Sequence, residues 1–127
     1  MKINRRIFLK GLLEWMVENR AVDIVQPDLN YNGGFIRTAR VARLAGAAGM
    51  EITPHSPSHD ATEAYMLHLA SATPNLGKFQ EYNSAPHEPQ HWHAPRLEVK
   101  KGEIEVPEGP GLGITIDPEI LKKAEKL

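Results

Sequence analysis

The stretch "DIVQPDLNYNGG", residues 23–34, places a short apolar run directly before a proline, an aspartate and a pair of glycines. The run begins at Ala21, and its residues do not alternate cleanly between apolar and polar, which is typical of a strand in a parallel sheet. Residues 35–48, "FIRTARVARLAGAA", then have the apolar spacing of a helix, and Gly49 suits the end of that helix. "MEITP", residues 50–54, is a second short strand closed by a proline. The sequence therefore predicts a repeated unit of strand, loop and helix.

Three helices are predicted from apolar residues that recur at helical spacing, and each should bury one stripe against a sheet. In the leading helix, the predicted stripe consists of Phe8, Leu12, Trp15 and Met16. In the helix of residues 35–48, it consists of Val41, Leu44, Ala45 and Ala48. In a third helix, for which Asp60 is a suitable N-cap, it consists of Tyr65, Leu69 and Ala72, flanked by Met66.

Each predicted strand ends next to an ionisable residue. Asp28 follows the first strand, His55 follows the second, and Glu81 lies near the end of a third short strand, "GKFQEY", residues 77–82. Repeated strand–loop–helix units give parallel strands whose C-terminal ends meet at one edge of the sheet. The three side chains should therefore converge there, although they are far apart in sequence.

The residue types indicate what such a site could do. An aspartate beside a histidine holds the imidazole in one tautomer and leaves the other ring nitrogen free to take or give a proton. A protonated glutamate can donate a hydrogen bond to negative charge that develops on a substrate carboxylate. Alternatives stay open: Asp28 also suits a turn after proline, His55 a backbone-bonded strand end, and Glu81 the surface of an edge strand.

The remaining sequence predicts a loop, a hairpin and a helix. Residues 83–95 are rich in proline and histidine, which is typical of a loop. "RLEVKKGEIEV", residues 96–106, alternates apolar and charged residues around Lys101 and Gly102, which favours a hairpin. Asp117, followed by a proline, is a suitable N-cap for a terminal helix.

Length and composition indicate one domain of 127 residues with enough apolar content, 41%, for a packed core. We divide it into a leading helix (1–20), strand–helix units (21–82), and a loop, hairpin and terminal helix (83–127). The 15 basic and 16 acidic side chains give a net charge of -1. This balance gives no electrostatic reason to bind nucleic acid or an anionic membrane, so we expect neither as a partner.

The N-terminal residues 5–10, "RRIFLK", resemble the core of a twin-arginine export signal. Glu14 and Glu18 interrupt the apolar stretch that export requires. We therefore expect a cytoplasmic protein, with export as the alternative.

The segment "HEPQHWH" brings His87, His91 and His93 close together in sequence. Neutral imidazoles suit nickel and zinc, so a metal site is one interpretation. Pro89 argues against the helix that the spacing of a ligand pair would need. A loop without a metal is therefore the expectation.

Three stretches, taken in order, resemble a known enzyme family: "VDIVQPDLNYNGG", "GMEITPHSPSH" and "FQEY". They are similar to the C-terminal part of the barrel domain in the mandelate racemase and muconate lactonizing enzyme branch of the enolase superfamily. The tail "EVPEGPGLGITIDPE" is similar to the family's closing segment, so the resemblance covers roughly residues 15–120. It implies that Asp28 and His55 match the Asp–His dyad of the sixth and seventh barrel strands, and that Glu81 matches the electrophilic glutamate of the eighth.

The resemblance also implies the fold and the reaction. The expected fold class is α/β: a C-terminal fragment of a TIM-like (β/α) barrel, with about three parallel strands, covering helices, a C-terminal hairpin and a helix. The intact enzyme would remove the proton α to the carboxylate of an acid sugar or a hydroxy acid, with Mg²⁺ stabilising the enediolate. It would then act as a dehydratase, which we prefer, or as a racemase.

The same resemblance predicts what this sequence lacks. Family enzymes bind Mg²⁺ through three carboxylates on the third to fifth strands and usually carry a catalytic lysine on the second, and none of these strands has a match here. Loss of the metal removes the main stabilisation of the developing charge, so we expect this chain alone to be inactive. Three strands also leave two unpaired edges, which self-association or a completing chain would cover. The alternative is therefore a non-catalytic, barrel-completing or interaction module, or a truncated gene product.

Overall fold

The computed structural model describes residues 5–56, 62–82 and 93–123. The helices and strands in chain order are α1 (Arg5–Glu18), β1 (Ile24–Val25), α2 (Leu29–Asn32), α3 (Phe35–Ala47), β2 (Glu51–Ile52), α4 (Thr62–Ser71), β3 (His93–Ala94), β4 (Thr115–Ile116) and α5 (Pro118–Lys123). The predicted Asp60 cap and the loop residues His87 and His91 lie outside the described residues. Within the described ranges, every helix is too short or too polar to cross a membrane.

The centre of the molecule is a small parallel sheet. β1 and β2 pair in parallel with Val25 opposite Ile52, and the pairing continues beyond the strands through a bridge between Asp28 and His55. A third segment joins on the other side of β2 through a bridge between Ile52 and Leu76. Three consecutive segments therefore run in parallel, which confirms the prediction of a partial (β/α) barrel.

The third segment pairs earlier than the sequence suggested. Its ladder bonds run from Ile52 N to the Asn75 carbonyl and from Gly77 N to the Ile52 carbonyl, both 3.0 Å. Beyond them, the next donor of the neighbouring segment would be Pro54, which has no N–H, and the Gly77 carbonyl accepts from the Gln80 side chain over 2.6 Å instead. Among the residues that the structure describes, this edge segment pairs with one neighbouring strand, β2. The prediction of a strand over residues 77–82 is therefore wrong.

The parallel segments alternate their side chains between two faces of the sheet. Side chains at every second position are fully buried: Val25, Pro27, Ile52 and Pro54. They face the helices, where the core cluster consists of Val17, Val25, Val41, Ala45 and Met50. On the opposite face, Ile24 is 46% exposed. The core thus lies between the sheet and the helices α1 and α3.

The leading helix α1 buries a different stripe from the predicted one. Val17 is buried and Leu13 packs against the same cluster, whereas Leu12 is 41% and Trp15 55% exposed. The side chain of Phe8 is outside the described set. The helical period was predicted correctly, but α1 has apolar residues on two flanks. The period alone does not determine which flank meets the sheet.

The helices α3 and α4 are confirmed, with one misplaced residue in each predicted stripe. Val41 is buried in α3, but Leu44 is 41% exposed because it lines an outer groove between α1 and α3. Met66 and Leu69 are buried in α4. Ala72 is exposed because α4 ends at the residue before it.

The predicted turn of the C-terminal hairpin is confirmed. Lys101 and Gly102 both have positive φ angles, 55° and 84°, as the tightest hairpin turns require. Lys100 and Glu103 exchange both backbone hydrogen bonds, at 2.7 and 3.1 Å. This bridge is the whole ladder there, and the longer antiparallel pair joins β3 to β4 instead. The extended hairpin predicted over residues 96–106 is wrong, since the pairing between its two arms stops at the bridge between Lys100 and Glu103.

The terminal helix α5 begins as predicted. Asp117 Oδ1 accepts a hydrogen bond from Glu119 N over 2.9 Å, and Pro118 occupies the first helical position. Lys122 and Lys123 lie in the last turn, where their charges complement the helix dipole.

Candidate active site

Asp28 is positioned at the end of the sheet by two features of its own loop. Its backbone is extended, and its Oδ1 accepts hydrogen bonds from Asn30 N (2.8 Å) and Tyr31 N (3.0 Å), which caps the short helix α2. Gly33 and Gly34, with φ angles of 94° and 87°, then let the chain turn into α3 through conformations that side chains disfavour. The cap engages one carboxylate oxygen and orients the other, Oδ2, toward the next strand.

A buried hydrogen-bonded pair holds the same loop from the other side. Asn32 Nδ2 donates to Thr38 Oγ1 over 3.2 Å, and Thr38 Oγ1 donates to the Gly34 carbonyl over 3.0 Å. Asn32 is 6% exposed and Thr38 is fully buried. These bonds tie α2 to the first turn of α3 and so fix the direction in which Asp28 points. The pair was not among the residues predicted from the sequence; its signal there is the four-residue spacing between Gly34 and Thr38 at a helix start.

His55 lies directly beside Asp28 because their backbones are bridged. His55 N donates to the Pro27 carbonyl over 3.0 Å, and His55 Nδ1 lies 2.9 Å from Asp28 Oδ2. A carboxylate accepts only, so Nδ1 carries the hydrogen and Nε2 is free for proton transfer. The Asp28 side chain is 11% exposed, while that of His55 is 39% exposed. The pair therefore combines a sheltered carboxylate with an imidazole edge that a small molecule can reach.

Glu81 approaches the free edge of the imidazole. Its Oε2 lies 3.8 Å from His55 Nε2 and accepts a hydrogen bond from Ser56 N over 2.9 Å. Ser56 is buried, whereas the Glu81 side chain is 38% exposed. The residue after His55 thus anchors Glu81 through its backbone, a contact that no side-chain pattern in the sequence could reveal. The structure brings Asp28, His55 and Glu81 together at one edge, as expected.

Tyr82 follows Glu81 and is held as a neutral phenol. Burial raises the pKa of Tyr82, and the negative charges of Glu63 and Glu98 raise it further. Its hydroxyl donates to the Leu97 carbonyl over 2.9 Å. Tyr82 thereby connects the segment that carries Glu81 to the C-terminal segment.

The donor set does not fit a Mg²⁺ site. Mg²⁺ requires several oxygen ligands in near-octahedral geometry. Within residues 5–56, 62–82 and 93–123, no group of three potential metal-binding side chains comes together, and the carboxylates of Asp28 and Glu81 are bound to His55 and Ser56. The described part of the chain thus supplies proton-transfer groups and no carboxylate trio.

Comparisons with known proteins place this geometry in context. The family model "Enolase C-terminal domain-like" matches residues 10–120. The D-gluconate dehydratase of Thermoproteus tenax is 30% identical over 120 residues, which are 94% of this chain and 24% of that protein. The enolase of Thermobispora bispora, solved with magnesium and formate, is 35% identical with a TM-score of 0.77, over 89% of this chain and 27% of that one. The enolase of Pantoea ananatis, solved with D-gluconate and magnesium, is 25% identical with a TM-score of 0.75, over 87% of this chain and 27% of that one.

The coverage of these matches is as informative as their identity. Nearly all of this chain is matched, but it spans only about a quarter of the length of each relative named above. The family model covers far more than half of the chain, and the matched folds agree with the parallel sheet and its helices. The predicted family is therefore confirmed: this chain belongs to the enolase C-terminal domain-like family.

Proposed function

We propose that this chain is the C-terminal part of a Mg²⁺-dependent enzyme that removes the proton α to a carboxylate and dehydrates an acid sugar. The observation that carries the proposal is the position of His55 between Asp28, 2.9 Å away, and Glu81, 3.8 Å away, at the end of a parallel sheet. Ligand-binding residues of parallel α/β folds lie at this end of the strands.

Relatives support the choice of substrate class. Two of them are named D-gluconate dehydratase and D-xylonate dehydratase, and the Pantoea ananatis enolase was solved with D-gluconate. An acid sugar offers an acidic α-proton and a hydroxyl on the neighbouring carbon. The small carboxylate substrate of the intact enzyme is therefore proposed to be a sugar acid of this kind, with racemisation of a hydroxy acid as the alternative.

His55 is proposed to move the proton through Nε2. Dehydration breaks the α C–H bond and the neighbouring C–O bond, forms a carbon–carbon double bond, and releases the hydroxyl as water after it gains a proton. His55 takes the α-proton as the base or gives a proton to the departing hydroxyl as the acid. Asp28 fixes the tautomer, and the backbone bond to Glu81 Oε2 positions that carboxyl to donate a hydrogen bond from Oε1 when it is protonated.

Mg²⁺ would supply charge stabilisation of the enediolate when bound. Its ligands are proposed to lie on parts of a family barrel that this chain does not match. Two solved neighbours, from Thermobispora bispora and Pantoea ananatis, contain magnesium. We therefore infer that this chain without those parts has no turnover.

A barrel-completing module is the second candidate function. The exposed Ile24 on the open face of the sheet and the short coverage of the relatives both favour it. Under this proposal the chain binds a polypeptide that supplies the rest of a barrel, or associates with itself, without catalysing a reaction.

The deciding experiment follows two reactions of D-gluconate in D₂O by NMR, proton exchange at the α-carbon and formation of the dehydrated product. The full chain is mixed with Mg²⁺ and with the Thermoproteus tenax enzyme shortened by the segment that this chain matches. We expect product only when both polypeptides are present, and its loss in His55→Asn; exchange should be lost with it if His55 is the base and should remain if His55 is the acid. His68→Asn is the control, since His68 lies on α4 and contacts the Leu112 carbonyl instead. Product that still forms in His55→Asn would contradict the proposed role, and turnover by the chain alone would contradict its inactivity.

A further inference from the structure

Gly77 is a glycine that its own backbone conformation does not require. Seven other described glycines have positive φ angles, which disfavour side chains, whereas the φ angle of Gly77 lies outside that region. Gly77 is buried, and its N–H donates to the Ile52 carbonyl over 3.0 Å in the parallel ladder. A glycine weakens a strand unless another group approaches its backbone closely. The surroundings of Gly77 therefore have to explain its presence.

The space beside Gly77 is occupied by the side chain of Thr53. A β-carbon at position 77 would lie 2.6 Å from Thr53 Cγ2, whereas carbon atoms in favourable contact are about 3.5–4.0 Å apart. The next atoms are Glu51 Oε2 at 3.3 Å and Glu51 Cβ at 3.8 Å. Glu51 Oε2 ends a flexible side chain that can turn away, but Thr53 is branched at Cβ and has few allowed rotamers. The Thr53 methyl group is thus the main obstacle to a side chain at position 77.

Thr53 and Gly77 both precede the candidate site on the open face of the sheet. Thr53 comes two residues before His55 and faces the same side, since side chains alternate along a strand. Gly77 comes four residues before Glu81 on the neighbouring segment. Among the described residues, no backbone hydrogen bond joins residues 78–82 to the segment of β2. The bond at Gly77 N is therefore the last ladder bond ahead of Glu81, so the spacing at Gly77 determines where that residue lies.

We propose that Gly77 is a positioning residue for Glu81. Because Gly77 has no side chain, the segment that carries Glu81 lies close to Thr53. Glu81 Oε2 then accepts the Ser56 N–H over 2.9 Å and lies 3.8 Å from His55 Nε2.

The distances show how sensitive this placement is. Ordinary contact between a β-carbon at position 77 and the Thr53 methyl group requires the gap to widen by about 1 Å. The same shift at Glu81 would stretch its bond from Ser56 beyond the roughly 3.2 Å limit of N–H···O bonds. The placement of Glu81 follows from geometry alone, and its effect on catalysis rests on the proposed function.

Amide hydrogen exchange in the full chain tests the placement. The Ser56 amide donates to Glu81 Oε2, whereas the His55 amide donates to the Pro27 carbonyl on the other side. In Gly77→Ala, the ratio of the Ser56 exchange rate to the His55 exchange rate should rise by at least about tenfold. The ratio is used because a general loss of stability speeds the exchange of both amides.

Substitutions at position 53 identify the obstacle. Thr53→Ala removes the γ-carbon, so adding Gly77→Ala to it should change the exchange ratio by less than about twofold. Thr53→Val keeps two γ-atoms, so Gly77→Ala should raise the ratio there as much as in the wild-type chain. Gly11→Ala is the control, since a β-carbon there meets no described atom within 4 Å. Rescue by alanine and not by valine is a result that a merely weakened strand would not give.

Dehydration of D-gluconate by the mixture with the shortened Thermoproteus tenax enzyme gives the second readout. Gly77→Ala should lower kcat by at least about tenfold and change KM by less than about threefold, because Glu81 is proposed to act on charge that develops during the reaction. In the Thr53→Ala background, Gly77→Ala should change neither. A wild-type mixture that forms no product would contradict the proposed function, while the exchange ratio would still decide the placement of Glu81.

The double variant keeps the proposal testable where Gly77→Ala does not fold. Circular dichroism should then show that Gly77→Ala combined with Thr53→Ala is folded, and its Ser56 amide should be protected. An unfolded double variant, an unchanged exchange ratio in Gly77→Ala, or equal effects in the alanine and valine backgrounds would overturn the proposal.

Discussion

The two faces of the parallel sheet differ in what they contribute. On the helix side, Val25 and Ile52 are fully buried in or against the core. On the other side, Ile24 is 46% exposed, and the same alternation brings Asp28 and His55 to that side at the ends of the segments. Residues at one set of alternate positions therefore pack in the core, and residues at the other set carry the candidate catalytic groups. Substitutions on the helix side should change stability, and those on the open side should change chemistry.

On the open face, the substitution with the greatest predicted consequence is Asp28→Asn. Asparagine is as good an N-cap as aspartate, so α2 should persist and the free energy of unfolding should change by less than about 1 kcal/mol. The amide cannot hold His55 in the same tautomer with a negative charge. We expect the rate at which this chain, combined with the shortened Thermoproteus tenax enzyme, dehydrates D-gluconate to fall by roughly 10³- to 10⁴-fold.

The same variant gives a spectroscopic result in this chain alone. The ¹⁵N shifts of the His55 ring report which nitrogen carries the hydrogen, and they should show loss of the Nδ1–H form in Asp28→Asn. His68→Asn is the control because it leaves the Asp28–His55 bond at 2.9 Å untouched. Unchanged ring shifts in Asp28→Asn would mean that the carboxylate does not orient the imidazole.

The helix side is tested by Ile52→Ala, with Ile24→Ala as its matched control. Ile52 is fully buried, so its truncation should reduce the free energy of unfolding by about 2–4 kcal/mol. Ile24 loses the same atoms from a half-exposed position and should cost less than about 1.5 kcal/mol. Urea unfolding followed by circular dichroism measures both. Equal losses would show that the two faces are not divided as described.

The buried pair behind Asp28 should have a smaller effect. Thr38→Val keeps the shape of the side chain but leaves the Asn32 amide, which donates to Thr38 Oγ1, without that acceptor. We expect a loss of about 1–3 kcal/mol in unfolding free energy. Thr38→Ser restores the acceptor and should recover part of it. If valine and serine were equivalent, the hydroxyl would not hold the loop.

The parallel segments and the pairing of their ends could be predicted from the sequence. Apolar runs that end in Pro27 and Pro54 predicted the parallel segments, and parallel order then predicted the meeting of Asp28 and His55, because the C-terminal ends of parallel strands are neighbours. These predictions rest on local patterns and on chain order. The family was predicted from the ordered combination of short motifs around them and is confirmed by the match over residues 10–120.

Predictions failed where a contact with a neighbour decides the outcome. The buried stripe of α1 was misplaced because the choice between the Val17 and Trp15 flanks depends on where the sheet lies. The strand over residues 77–82 was wrong because Pro54, the next residue of the neighbouring segment, has no N–H for the Gly77 carbonyl, which accepts from the Gln80 side chain instead. The anchor of Glu81 is a backbone N–H, that of Ser56, and sequence carries no side-chain signal for it.

The smallest expected effect concerns Tyr82, which joins the Glu81 segment to the C-terminal segment. Its pKa is raised by burial and by Glu63 and Glu98, so the folded chain holds the phenol proton more tightly than the unfolded chain does. The resulting contribution is fully present below the unfolded value, about 10, and is lost as pH rises through the folded value. In Tyr82→Phe, the bond to the Leu97 carbonyl is lost, which should cost about 1 kcal/mol at neutral pH.

Absorbance at 295 nm during alkaline titration checks this prediction. The last tyrosine to ionise in the wild-type chain should be missing in Tyr82→Phe, and Tyr31→Phe, at a 63% exposed position, serves as the control. The decline of wild-type stability above about pH 10 should also be shallower in Tyr82→Phe, because that variant has no phenol proton to lose. If Tyr31 were instead the last to ionise, Tyr82 would not link the two segments through a protected phenol.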